Sequence, residues 1–259
     1  MALAHRTRPV DSLRLLALVT GLLVAEARAD VPAGAEARQA VAAASTLWVV
    51  TVPAWDSTAG TLVPWTREGD SWRAGALLPV TVGHGGLRWG RGLTAPPGTR
   101  IKREGDGATP AGLFRVTTLV GEAPAHRGAM PYRQARATTR CVDDPASPRY
   151  GQIVEAPAGM PPWASAEHMV REDGLYRLLA VVDHNGVEGG AVPGGGSCIF
   201  VHAWSAPAVP TVGCVALDPQ SLAALAAKAT PPLLVAVIPA PLLPSATAAW
   251  GLPVGAVVP

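Results

Sequence analysis

Short apolar runs, each cut off by Gly or Pro, set the pattern of this chain. TLWVVTVPAW at 46–55 and TLVPWT at 61–66 are rich in β-branched and aromatic residues. Asp56, Ser57 and Gly60 lie between them, which predicts a β-hairpin. Further strands fit ALLPVTVG at 76–83, LFRVTTLV at 113–120, LYRLLAVVDH at 175–184, CIFVHAW at 198–204 and PLLVAVI at 232–238. One segment has clear helical signals. Asp218 is a good N-cap, Pro219 suits the first helical position, and SLAALAAKA supplies helix formers as far as Ala229. The pattern predicts a mainly β domain with one helix late in the chain, and the strand count suits a barrel as well as a sandwich. Long loops at 84–111 and 121–174 are candidate walls of a binding cleft, with Tyr132, Trp163 and Trp204 as candidate lining residues. Residues 239–259 are apolar but interrupted by Pro239, Pro241, Pro244 and Pro253, which reads as a surface-packed Pro/Ala-rich tail.

The start of the chain changes the picture of where the protein acts. His5, Arg6, Arg8 and Arg14 precede an apolar stretch from Leu15 to Ala25 and then Ala27-Arg28-Ala29, the layout of a secretory signal peptide cleaved after Ala29. The stretch is too short to span a bilayer, so no stable membrane anchor is expected; the location implied is the periplasm or cell wall. The divisions read from the sequence are a signal segment at 1–29, a lead-in at 30–45, a main domain at 46–238 and the tail at 239–259. Losing residues 1–29 removes four basic and two acidic residues, which brings the formal charge from +2 to zero. A neutral domain with interspersed signs lacks the dense basic face that nucleic acid requires, so no nucleic-acid partner is expected.

Chemistry concentrates in SCIFVHAWSAPAVPTVGCVAL, residues 197–217. Strand alternation places Ser197, Ile199 and Val201 on one face and Cys198, Phe200 and His202 on the other. Pro207 and Pro210 favour an extended return, and Gly213 allows a close backbone approach that brings Cys214 beside His202. A thiol of ordinary pKa is only a few per cent thiolate at neutral pH, and a neighbouring imidazole turns it into a nucleophile. The plainer reading is a core histidine and a buried structural cysteine on adjacent strands.

These residues resemble the signature of the L,D-transpeptidase catalytic domain family (YkuD-like), in a branch with a shortened and divergent motif. KREGDGATPAGLF at 102–114, CVDDPASPRY at 141–150 and VVDHN at 181–185 carry the resemblance beyond PTVGCVAL, over about residues 46–238. It implies a β-sandwich-like catalytic fold with one helix after the nucleophile, and cysteine acyl transfer on peptidoglycan stem peptides without a cofactor. Cys214 would be the nucleophile and His202 the general base and acid, with the Gly213 backbone in the oxyanion hole. The resemblance also implies that a carbapenem acylates Cys214. Three departures stand out: Val212 replaces the usual histidine, Ala216 the usual arginine or asparagine, and Ala203 the usual serine. At Ala203 only the backbone carbonyl is left to orient His202. Thr211, Lys102, Arg103 and His184 are candidate substrate-binding residues, the two cations because Ala216 removes the family's usual partner.

Three cysteines are an odd number for an oxidising compartment. With Cys214 as nucleophile, Cys141 and Cys198 are left to pair; three buried thiols and an inactivating Cys198–Cys214 bond are the alternatives. His84, His126 and His168 have no ligand spacing, and no metal is expected. The function expected is a cross-linking transpeptidase that releases terminal D-alanine. A cysteine hydrolase of stem peptides and a wall-binding domain without catalysis are the other readings. A serine hydrolase is disfavoured because no G-x-S-x-G occurs.

Overall fold

The computed structural model describes residues 31–186 and 190–253, so the signal segment at 1–29 lies outside the described residues. Helix α1 (Ala35–Ala43) leads into the predicted hairpin, formed by β1 (Thr46–Val52) and β2 (Ala59–Glu68) with Thr51 opposite Thr61. Next come β3 (Ser71–Ala74), β4 (Leu78–Thr81), β5 (Leu87–Trp89) and the long β6 (Thr109–Gly121). The segment after β6 contributes β7 (Tyr132–Gln134), β8 (Thr139–Val142), β9 (Ile153–Glu155) and β10 (Ala166–His168). The chain then runs through β11 (Leu178–Val182), β12 (Phe200–Ala203), β13 (Val215–Leu217), α2 (Pro219–Lys228), β14 (Leu233–Pro239) and α3 (Leu243–Trp250).

Neighbouring strands follow the order β1-β14-β6-β11-β12-β13-β4-β2, and β2 pairs back to β1, so the sheet closes on itself. The expectation of a mainly β fold holds, and the closure is barrel-like, the arrangement that leaves no open edge in the ring. Strands β3, β5 and β7 attach outside the ring, while β8, β9 and β10 form a separate small sheet.

Burial divides into two cores, and the division locates the site. The main cluster takes in both faces of β1 and β14 together with the helices packed on them: Trp48, Leu47, Leu62, Leu113, Phe114 and Ile238 are each no more than 1% exposed. Fully burying one such side chain is worth about 1.5–3 kcal/mol, so this cluster holds the ring closed. A second cluster joins Val120, Met169, Tyr176, Leu179, Phe200, Cys141, Cys198 and Cys214 on the outer side of β11 and β12. Alternation along the β12 segment assigns the two faces as the sequence predicts, with Ile199 and Val201 in the inner cluster and Cys198 and Phe200 in the outer one.

Helix α2 begins where its cap signals place it: the Asp218 carboxylate accepts the Ser221 N–H at 2.8 Å. The count of one clear helix falls short, because α1 and α3 are helices too. Pro244 does not break α3, since it occupies the first turn, where no N–H is needed, and Gly251 ends the helix in the left-handed region at φ 73°. Part of the expected surface tail is therefore core: Leu243, Ala246 and Trp250 are buried, and the Trp250 indole N–H donates to the Pro32 carbonyl at 2.9 Å. Residues 254–259 of that tail lie outside the described residues.

Candidate active site

Strand register brings the histidine and cysteine together. β12 and β13 run parallel with Val201 opposite Val215 and His202 opposite Ala216, so Cys214 immediately precedes the partner strand of His202. Both residues line one cavity of about 160 Å³ with Arg171, Tyr176, Trp204 and Thr211. The approach needs Gly213, whose φ of 146° and position 3.2 Å (as an added Cβ) from the Ala108 carbonyl leave little room for a side chain.

The imidazole is oriented from behind. Its Nδ1 donates to the Ala203 carbonyl at 2.7 Å, which leaves Nε2 with the lone pair a general base needs. The Tyr176 ring meets it edge-on at 5.2 Å between centroids. The thiol is held separately: its sulfur accepts the Phe200 N–H at 3.3 Å and its proton is directed to the Cys198 carbonyl at 3.5 Å. Cys198 turns that carbonyl inward from a left-handed backbone at φ 52°, a conformation that costs about 1 kcal/mol or more for a residue with a Cβ. The carbonyl of Cys214 accepts the hydroxyls of Thr211 at 2.6 Å and Thr109 at 3.2 Å. Thr109 belongs to the 102–114 block, so the two sequence blocks meet at Cys214. The Gly213 N–H rests on Thr211 Oγ1 at 3.1 Å.

Cys141 and Cys198 form a disulfide with Cα atoms 6.0 Å apart, and Cys214 is the free cysteine. That bond ties β8 of the small sheet to the residue whose carbonyl receives the thiol. On β10, Glu167 lies opposite Cys141 and accepts the Tyr176 hydroxyl at 2.8 Å, so the small sheet reaches the site at two points.

Lys102, Arg103 and His184 go elsewhere. Lys102 is 4% exposed, and its Nζ donates to Asp106 at 2.6 Å and to the Arg103 carbonyl at 2.7 Å. His184 is buried between the Arg91 N–H, which it accepts at 3.3 Å, and the Gly195 carbonyl at 3.0 Å. None of the three lines the Cys214 cavity. Together with Glu104, which receives Ser197 Oγ at 2.7 Å, the 102–106 segment braces the chain leading into β12. Lys102 and Arg103 were candidates because Ala216 removes the family's usual partner, but the short reach from Lys102 to Asp106 draws the ammonium inward. Of the candidate aromatics, Trp204 lines the cavity, Trp163 lines a separate hollow on the small sheet, and Tyr132 donates to the Ala123 carbonyl. Arg171, Tyr176 and Glu167 were missed, since nothing in their spacing relates them to residues 197–217.

Burial sets the charge state. It pulls His202 down to about 4, helped by Arg171 and opposed by the bond to Ala203, and pulls His184 down to about 3. It pushes Cys214 up to about 12, with the Glu167 carboxylate adding repulsion and the Phe200 N–H opposing. Glu167 is raised to about 7, again first by burial. At neutral pH the pair is thus thiol and neutral imidazole rather than a standing ion pair, so proton transfer has to accompany attack on a bound substrate.

These shifts predict the acid limb of stability. An unfolded chain protonates both histidines near the ordinary 6.5, whereas the folded chain resists until about 4 and 3, so their contribution is lost as pH falls below 6.5. Glu167 acts oppositely, because the folded chain keeps to about pH 7 a proton the unfolded chain releases near 4.5. With two groups against one, stability is expected to fall by about 1 kcal/mol per pH unit on acidification from 6.5 to 4.5. Thermal unfolding across that range checks it; a flat or rising Tm contradicts the assignment.

Among the described residues no group of His, Cys, Asp and Glu is arranged to hold a metal ion, and no helix is long and apolar enough to cross a membrane.

No curated protein matches the chain. A solved structure, "Structure of Bdellovibrio bacteriovorus Bd1075", is similar at 13% identity and a TM-score of 0.38, covering 81% of this chain and 52% of that one. The chain thus spans about half the length of that structure. The YkuD family, described as the L,D-transpeptidase catalytic domain, matches residues 58–238, a stretch that runs from β2 to β14 and contains the bracing segment, the disulfide, His202 and Cys214. Since that match takes in more than half of the sequence, this chain belongs to the L,D-transpeptidase catalytic domain family.

Proposed function

We propose that the protein is a peptidoglycan L,D-transpeptidase that transfers an acyl group from a tetrapeptide stem through Cys214. The observation that carries the reading is the parallel β12–β13 register, which puts a free thiol and a neutral, backbone-oriented imidazole on one cavity wall.

Rotation about the Cβ–Sγ bond turns the thiol proton from the Cys198 carbonyl to His202 Nε2. As the proton leaves, sulfur attacks the carbonyl before the terminal D-alanine. The oxyanion takes the Gly213 N–H from the Thr211 hydroxyl and is also met by the Cys214 N–H. Collapse breaks the C–N bond, His202 returns the proton to the leaving amine, and a thioester remains on Cys214. An amine from a neighbouring stem attacks that thioester, giving a cross-link and restoring the thiol. The signal-like N-terminus favours action outside the cytoplasmic membrane.

Intact-protein and product mass spectrometry with disaccharide tetrapeptide tests this. The expected result is an acyl adduct on Cys214 followed by cross-linked dimers; an adduct followed only by tripeptide replaces the transpeptidase with a hydrolase. Absence of adduct and product, from protein with Cys214 reduced, contradicts both. A carbapenem is expected to leave a covalent mass increase at the same cysteine.

A further inference from the structure

We propose that Arg171 is the specificity residue of the site and binds a free carboxylate of the acyl donor. The inference rests on the acyl-transfer reading and assigns the charge recognition that Ala216 does not provide.

Among the residues lining the Cys214 cavity, Arg171 alone carries a formal charge at neutral pH, since His202 is neutral. The other cations considered are accounted for: Lys102 is buried on Asp106, and Arg103 does not line the cavity. Arg171 is also held in place. Its Nε donates to Asp173 Oδ1 at 3.0 Å and its Nη2 to Oδ2, while the guanidinium carbon lies 5.0 Å from the centroid of the Tyr176 ring. The Tyr176 hydroxyl is in turn fixed on Glu167 at 2.8 Å, and the same ring abuts His202. One plane therefore spaces the guanidinium from the catalytic imidazole.

Asp173 does not exhaust this arginine. Its carboxylate takes the Nε/Nη2 edge, and a guanidinium offers a second edge, Nη1/Nη2, in the fork geometry that matches a carboxylate. The Arg171 side chain is 39% exposed and lines the cavity, so it is within reach of a ligand entering there. Asp173 is a positioning residue that stops the guanidinium from swinging away. A stem peptide carries carboxylates on the leaving residue and further along the chain, and a cation fixed beside the nucleophile selects donors by one of them.

The test separates binding from chemistry. In full-length Cys214→Ser protein, the tetrapeptide and analogues amidated at one carboxyl at a time are titrated calorimetrically, with and without Arg171→Gln. Arg171→Gln is expected to weaken the tetrapeptide by about 10- to 100-fold. It should leave unchanged the affinity of the one analogue whose amidated carboxyl is the group recognised, which identifies that carboxylate. Arg171→Lys, which keeps the charge and loses the fork, should fall between. Equal affinity in the presence and absence of Arg171, an equal loss for every analogue, or no binding of the tetrapeptide overturns the proposal. Turnover by the unmodified enzyme answers the other question: Arg171-dependent binding without turnover removes only the acyl-transfer reading, and turnover with Arg171-independent binding removes only this one.

Discussion

Cys214→Ala is expected to reduce acyl transfer by about 10⁴-fold or more while the protein stays folded, because the hydroxyls that also line the cavity, on Ser205, Thr211 and Tyr176, are far weaker nucleophiles than a thiol. The fold is expected to survive because the main core lies on the other side of β12. The local cost is the Phe200 N–H, which loses its sulfur partner, worth about 1 kcal/mol. Cys214→Ser is expected to be inactive as well. A hydroxyl holds its proton more tightly than a thiol, and an imidazole whose pKa burial has lowered to about 4 is a poor base for removing it. Product mass spectrometry beside a thermal melt separates the two effects. Turnover persisting in either variant with a normal melt would remove the mechanism.

The second large effect is on stability. Cys141→Ser/Cys198→Ser protein opens a link across 57 residues, for which chain entropy predicts a loss of about 4 kcal/mol. The bond holds the small sheet against the ring, so its removal should also slow acylation of Cys214, whose thiol proton is directed to the Cys198 carbonyl. Calorimetric melts with and without reductant, and acylation rates on both proteins, measure the two parts. An unchanged Tm would mean that the β8–β10 sheet is ordered by its own contacts with Tyr176 and Met169.

The strands of the ring were legible because their faces are long enough to show. β1, β2, β6, β11 and β14 are runs of Val, Leu, Ile and Thr that no helix period fits, and Asp218-Pro219 announces α2. β3, β5, β7–β10 and β13 were not, since strands of three or four residues carry too few positions to display alternation unless, as for β4 and β12, the apolar run continues beyond the paired residues. The expected loop at 84–111 therefore hid β5, and that at 121–174 hid β7 and the second sheet. Helix α1 was missed because Gly34 offers no side-chain cap, and α3 because its prolines read as breakers although Pro244 falls in the first turn. At the site, His202 and Cys214 were readable because strand, turn and glycine lie within one short segment. The wall opposite was not: Arg171, Tyr176 and Glu167 arrive from another part of the chain, and sequence does not say which of many charges a fold will turn inward. Lys102 shows the converse, a cation that reads as available and is engaged by its own neighbour.

The place of β14 in the ring governs the order in which this molecule can be made. Among the described residues it is the last strand, yet it sits between β1, the first of them, and β6, pairing Thr46 with Leu233 on one side and Val116 with Leu233 on the other. Until it emerges, β1 and β6 each present an unsatisfied edge, and the apolar faces that meet inside the ring have no enclosure. Contacts this distant along the chain form slowly, over milliseconds to seconds in small β proteins. An incomplete chain is thus an open sheet prone to pairing with other chains until β14 closes the ring.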